Sequence, residues 1–131
     1  MGPELIIAAL LSDPSLTALV GDRIATPMLP TNTAYPALAY QLVSHVPQPH
    51  LDTDEGQYAT ARVQITPLAV SIGQVKQIHG VVRALLDHKR GVVAAGKTVI
   101  TCRLDASQQV QKDTDIGLWY QHADYLITYY E

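Results

Sequence analysis

The sequence predicts an α+β fold: a single mostly antiparallel β-sheet with one long helix and an N-terminal helix packed on one face. Three observations lead there. Apolar residues recur at the helical period over one long stretch, 71–91. Period-two alternation marks stretches on both sides of it. The strands come in runs around that one helix rather than in strand–helix repeats, which assigns an antiparallel sheet with its helices on one side.

Residues 3–11, PELIIAALL, read as a helix, with Pro3 suited to the first turn and Glu4 at the positive end of the dipole. In SDPSLTALVGD, Ser12 or Asp13 can cap, Pro14 can take the first helical position, and Gly21 can close a short helical turn with Leu16, Leu19 and Val20 inward. Residues 23–29, RIATPML, read as an edge or bulged strand, because Pro27 has no amide to give to a ladder. TNTAYP is loop. PALAYQLVSHV then alternates, Leu38, Tyr40 and Leu42 on one face and Ala37, Ala39, Gln41 and Val43 on the other. Residues 47–57, PQPHLDTDEGQ, form a polar loop. YATARVQIT returns as a strand, Ala59, Ala61, Val63 and Ile65 facing one way and Thr60, Arg62, Gln64 and Thr66 the other. The pair predicts an antiparallel hairpin with a projecting tip.

The long helix, SIGQVKQIHGVVRALLDHKRG, is capped by Ser71 and carries Ile72, Val75, Ile78, Val82, Leu85 and Leu86 on one stripe. Asp87, His88, Lys89 and Arg90 fall near its end and Gly91 can terminate it. Residues 92–97 read as a small-residue connection, KTVITCRLD as a strand with Ile100, Cys102 and Leu104 on one face, and ASQQVQKDTD as a second polar loop. The chain closes on GLWYQHADYLITYYE, which holds five of its eight aromatic residues. Apolar groups on both faces predict a central strand. Trp119, Tyr125 and Ile127 point at the helix-covered core, and Tyr120 and Tyr130 lie on the other face, where a neighbouring subunit could cover them.

At 131 residues the chain is expected to be one domain, 1–131. Its net charge is −3, acids outnumbering bases 12 to 9, whereas nucleic-acid binding draws its affinity from basic excess. Charged residues make up only 16%, which favours a surface partly covered by partners. Cys102 is the single cysteine, so no intrachain disulfide can form, in keeping with a reducing compartment. The apolar run LIIAALL lacks the basic flank of a signal peptide and is too short to span a bilayer, so no membrane association is expected.

Catalytic, metal and cofactor patterns are missing. The histidines, at 45, 50, 79, 88 and 122, show no metal-ligand spacing, although His45 and His122 could meet across strands. DTDEG (52–56) begins like a calcium loop but lacks the glycine and glutamate that complete one. GVVAAG before Lys97 has the ends of a phosphate loop, but it follows a helix and precedes a strand, the reverse of what a phosphate cradle needs. Cys102 alternates with apolar residues and reads as a buried, inert thiol. In the aromatic tail no Lys or Arg is interleaved, so base stacking is disfavoured. No cofactor and no catalytic residue is predicted.

Three ordered stretches resemble one family. LTALVGDRIATPMLP after a leucine-rich helix, YPALAYQLVS, and the closing ADYLITYY (123–130) are similar to the tail-completion proteins of long-tailed bacteriophages, also called tail terminators or tail-to-head joining proteins. One departure is Pro67 in ARVQITPLA, which puts that strand's end early. The resemblance implies a non-enzymatic virion protein of the tail or neck, assembled in the bacterial host cytoplasm. It implies a ring of this chain, commonly a hexamer, that caps the tail tube, ends tail polymerisation and forms the head–tail joining surface. Its implied partners are further copies of itself, the major tail tube protein and the head–tail connector, with DNA passing through the lumen without specific binding. Ring closure requires a heterologous interface between two different patches. Contacts are expected from the 47–57 and 105–116 loops and the aromatic tail, at His50, Asp52, Asp54, Glu55, Gln109, Lys112, Asp113, Tyr120 and Tyr130. The acidic 52–55 stretch is expected near the lumen or the tube-facing rim, where it would repel DNA. The competing reading is a small dimeric α+β ligand-binding or enzymatic domain with the aromatic strand as a pocket wall.

Overall fold

The computed structural model describes residues 2–26, 34–48 and 58–130. The N-terminal helix α1 spans Gly2–Leu10, and Ile6, Ile7 and Leu11 are fully buried. Helix α2, Pro14–Val20, starts at Asp13, whose carboxylate accepts from the Ser15 amide at 2.9 Å and the Ser15 hydroxyl at 2.7 Å. Ser12 is not the cap because its hydroxyl donates back to the Ala9 carbonyl at 2.6 Å. Gly21 ends α2 at φ 61°, a left-handed position that favours glycine. Among the described residues no single helix is long and apolar enough to cross a membrane.

The sheet runs β1 (Ile24–Ala25), β2 (Ala37–Gln48), β3 (Tyr58–Ala69), β8 (Ala123–Tyr130), β5 (Lys97–Ser107) and β4 (Lys89–Ala94), with β7 (Leu118–Tyr120) also paired to β3 and β6 (Gln111–Asp113) to β7. Strand β1 is only Ile24–Ala25 and lies parallel to β2, Ala37–Gln48. Leu38 N–H donates to the Arg23 carbonyl at 2.9 Å, and Arg23 Nε donates to the Pro36 carbonyl at 2.9 Å. Of the strand expected over 23–29, the described residues form Ile24–Ala25, and 27–29 lie outside them. Strand β2 reaches Gln48 and β3 begins at Tyr58, so the ladder takes in Pro47 and Gln48, which were expected to be loop.

The early stop at Pro67 is also corrected: β3 spans Tyr58–Ala69. Leu38 gives its amide to Arg23, so the facing pair Leu38–Pro67 exchanges no hydrogen bonds, and the Pro67 nitrogen points away from β2. On that side β8 pairs with β3 up to Ile65 and β7 resumes at Leu68, so Pro67 faces a gap between two partner strands. The missing amide is missing where no acceptor waits.

Helix α3 spans Ile72–Leu86, capped by Ser71, with Val75, Ile78, Val82 and Leu86 buried. Ile72 is 41% exposed and leaves the stripe. The helix stops four residues short of the predicted basic end. Asp87 is the C-cap, His88 takes φ 59°, and Lys89 and Arg90 belong to strand β4, Lys89–Ala94. The connection expected over 92–97 is a hairpin into β5, Lys97–Ser107, closed by Ala95 at φ 52° and Gly96 at φ 76°. Two successive positive φ values make a type I′ turn, whose twist suits paired strands. Alanine pays for that conformation through its Cβ. Ala95→Asn is therefore expected to stabilise the protein by about 0.5–1 kcal/mol, read as a higher urea midpoint at unchanged slope.

The C-terminal segment forms three strands: β6 at Gln111–Asp113, β7 at Leu118–Tyr120 and β8 at Ala123–Tyr130. Part of the second predicted loop is therefore strand, and the aromatic strand is broken at Gln121–His122. Strand β8 is central, between β3 and β5, and buries Ala123, Tyr125, Ile127 and Tyr129. Trp119 lies opposite Ala69 but is half-buried and outside the core cluster; the buried residue of β7 is Leu118. In β5 the register slips at Ile100 and at Asp105. The first slip puts Val99 and Cys102 in the core and leaves Ile100 half-buried, against the simple alternation expected.

Candidate interaction surface

The helices pack on the face of the sheet that carries Ile65, Val63, Tyr125 and Ile127. The opposite face presents the other parity of the same strands, where Thr60, Arg62 and Gln64 of β3 stand beside Asp124, Leu126 and Thr128 of β8. These side chains form a ladder. Thr60 and Thr128 hydroxyls are 3.1 Å apart, Gln41 Nε2 donates to Gln64 Oε1 at 3.2 Å, and Gln64 Nε2 donates to Asp124 at 3.5 Å. At its centre Arg62 pairs with Asp105 at 2.7 Å and Asp124 at 3.3 Å, and Arg103 pairs with Asp105 at 3.2 Å.

Asp105 is the extra residue of the second β5 slip, which places its carboxylate over this face. The hydrogen bond from Arg62 holds the Asp105 carboxyl below the usual carboxylate range, and the same bond raises the Arg62 guanidinium. The cluster is two cations and two anions, so the helix-free face carries no net charge from it. The parity of Thr60, Arg62 and Gln64 was legible in the sequence. Their partners, 23 to 68 residues away, depend on strand order and on a bulge.

The predicted contact residues fall into two separate groups. His50, Asp52, Asp54 and Glu55 lie outside the described residues. Gln109 is exposed in the link between β5 and β6. Lys112 holds its ammonium 5.5 Å from the Trp119 ring centre, and Asp113 accepts from the Asp115 amide at 3.0 Å. Tyr120 donates to Gln111 Oε1 at 3.0 Å. These residues sit by the Ala69 end of β3, whereas Tyr130, 40% exposed, sits opposite Tyr58 at its other end. The fold does not bring Tyr120 and Tyr130 into one patch.

His45 and His122 do not meet. His45 Nε2 is hydrogen-bonded to the Tyr129 hydroxyl at 2.9 Å, and His122 Nδ1 to the Thr66 hydroxyl at 2.7 Å. Among the described residues no group of three or more His, Cys, Asp or Glu is placed to hold a metal. Cys102 is 1% exposed, and burial, with Asp87 nearby, pushes its thiol up to about 12, as an inert core thiol requires. An open groove of about 460 Å³ lies between the α1–α2 turn, the end of α3 and β4, lined by Leu10, Asp13, Pro14, Leu85, Lys89 and Val92. The aromatic strand is not part of its wall.

A solved structure described as the virion of a native gene transfer agent (GTA) particle contains a chain of this fold. It matches with a TM-score of 0.66 over 98% of this chain and 96% of that one, at 15% identity. No curated protein matches the chain. The family described as tail completion protein gp17 matches residues 4–123, nearly the whole length, so the chain belongs to that family and is a structural protein of the phage tail.

Proposed function

We propose that this protein forms a ring on the end of the phage tail tube, stops tube growth there and supplies the surface to which the filled head joins. The observation that carries the reading is the family match over residues 4–123. In this reading the protein has no catalytic role and acts in the virion neck after assembly in the host cytoplasm. Its partners are its own copies, the tube protein and a head–tail connector. The helix-free face, with its charges paired internally, suits a surface past which DNA slides without holding. The 49–57 segment, with Asp52, Asp54 and Glu55, is assigned to the tube-facing or lumenal rim, and Gln109, Lys112, Asp113 and Tyr120 to contacts at the opposite end of the sheet.

Particles made without this protein test the proposal by electron microscopy. The expected result is tails of uncontrolled length with free heads beside them, restored by supplying the protein. Tails of normal length joined to heads would sink it.

A further inference from the structure

The β6–β7 hairpin ends in a tip that carries an exposed apolar side chain. Gly117 N–H donates to the Asp113 carbonyl at 2.8 Å, the Asp115 amide donates to Asp113 Oδ1 at 3.0 Å, and Gly117 takes φ 70°. These bonds fix the turn before anything meets it, so little conformational freedom is left to lose on contact. Ile116, within that turn, is 57% exposed, and Asp115 beside it is exposed too. The hairpin pairs with β3 only at Leu68 and Ala69, so its tip projects past the end of that strand.

The groove beside β4 has the complementary character. Leu10, Pro14, Leu85 and Val92 give it an apolar wall, and Lys89 is the one cation among its lining residues. Asp13 also lines it, but that carboxylate is taken up by the amide and hydroxyl of Ser15. Among the described residues neither Lys89 nor Asp115 makes an ion pair. Traced across the pairings, Val92 is level with Val99, Tyr129 and Ala59, near the start of β3, whereas the tip lies past Ala69 at its end. About ten residues of strand, roughly 33 Å, separate the two levels, so the tip of a chain lies far from its own groove.

We propose that the β6–β7 tip of one copy seats Ile116 in the groove of the next, with Asp115 against Lys89. This rests on the ring reading above and names a contact between its subunits. The occupant is a second copy because the tip supplies what the groove lacks: an apolar side chain to cover its wall, and a free carboxylate for its free ammonium. The opposite charges orient the contact, and the apolar surface removed from water holds it. Tip and groove are different patches at opposite ends of the sheet, so the contact is heterologous, as ring closure requires. Asp113 then acts by holding the turn from which Ile116 projects.

The test uses the full chain, alone and with the tail tubes of its own particle. Ile116→Asp is expected to keep the wild-type melting temperature within a few degrees, because the side chain is exposed, and to lose the ring. Asp115→Lys and Lys89→Glu are each expected to raise the protein concentration at which rings form about fivefold, and the two together to restore it. Ser12 is exposed on the groove. Ile116→Cys with Ser12→Cys, treated with a short bismaleimide, is expected to give covalent multimers up to the closed ring, while each single variant stays monomeric on denaturing gels. Cys102, 1% exposed, does not interfere. Rings that persist in Ile116→Asp, a charge swap no better than its single variants, or rings whose double-cysteine form does not cross-link overturn the tip-and-groove contact and leave the ring reading standing. Cross-linked dimers from Ile116→Cys alone overturn it in favour of tip meeting tip. Wild-type protein that forms no ring even on tube ends overturns the ring reading, and the contact with it.

Discussion

Tyr125→Phe is expected to stabilise the protein by about 1 kcal/mol, and Tyr125→Ala to destabilise it by about 4 kcal/mol. Tyr125 is fully buried at the centre of β8, and its hydroxyl meets no hydrogen-bond partner among the described residues. Burial, with Asp87 and Cys102 nearby, pushes its ionisation well above the ordinary phenol range. An unpaired hydroxyl in a core carries a desolvation cost that phenylalanine, of the same shape, avoids. Alanine instead removes the ring that fills the space between α3, β3 and β5, and leaves a cavity that a packed core closes only in part. Urea unfolding of the three proteins measures both effects. A lowered midpoint for Tyr125→Phe would show that the hydroxyl has a partner after all.

Asp87→Ala is expected to cost about 3 kcal/mol, because one carboxylate joins three pieces of chain at the end of α3. Oδ1 accepts the Leu104 amide of β5 at 2.8 Å, and Oδ2 accepts Arg83 Nε of α3 at 3.0 Å and lies 3.5 Å from His88 Nε2. The side chain is only 9% exposed, so solvent screens these contacts little. Burial works against its charge, but the Leu104 amide, Arg83 and His88 outweigh burial and hold the carboxyl below its usual range. A carboxyl lowered in the folded state contributes stability that is fully present above its unfolded pKa and lost as pH falls towards the folded one. Wild-type stability should therefore fall below about pH 4, and Asp87→Ala should flatten that limb. Equal acid sensitivity in the two proteins would remove Asp87 from this role.

The same residue explains where the sequence reading of α3 went astray. Asp87–Arg90 has the composition of a helix end, and nothing local distinguishes it from one more turn. The chain leaves the helix because the Asp87 carboxylate is occupied by an amide 17 residues later in β5. The AG turn was overlooked for a related reason: alanine is a poor local signal for φ 52°, and only pairing across Val92–Val99 holds it there. Strands with one-sided alternation were read well, as in Ala59, Ala61, Val63 and Ile65, since a half-buried strand writes its own period. Strands with bulges were not, since one inserted residue at Ile100 leaves Val99 and Cys102 buried where Ile100, Cys102 and Leu104 were expected to share the core face.

By itself the sequence determined the fold class, the capped helices, the core faces of β3 and β8, and the family resemblance. Each follows from short-range rules: capping side chains next to the turns they cap, and apolar residues at the period of the element they bury. Only the tertiary structure decided how far β3 runs past Pro67, which carboxylates meet Arg62, and the order in which the strands lie. Those outcomes depend on strand order and register, where a residue's partner is chosen by chain far away in sequence. A proline is harmless or ruinous, and a valine core or contact, according to what lies across the ladder.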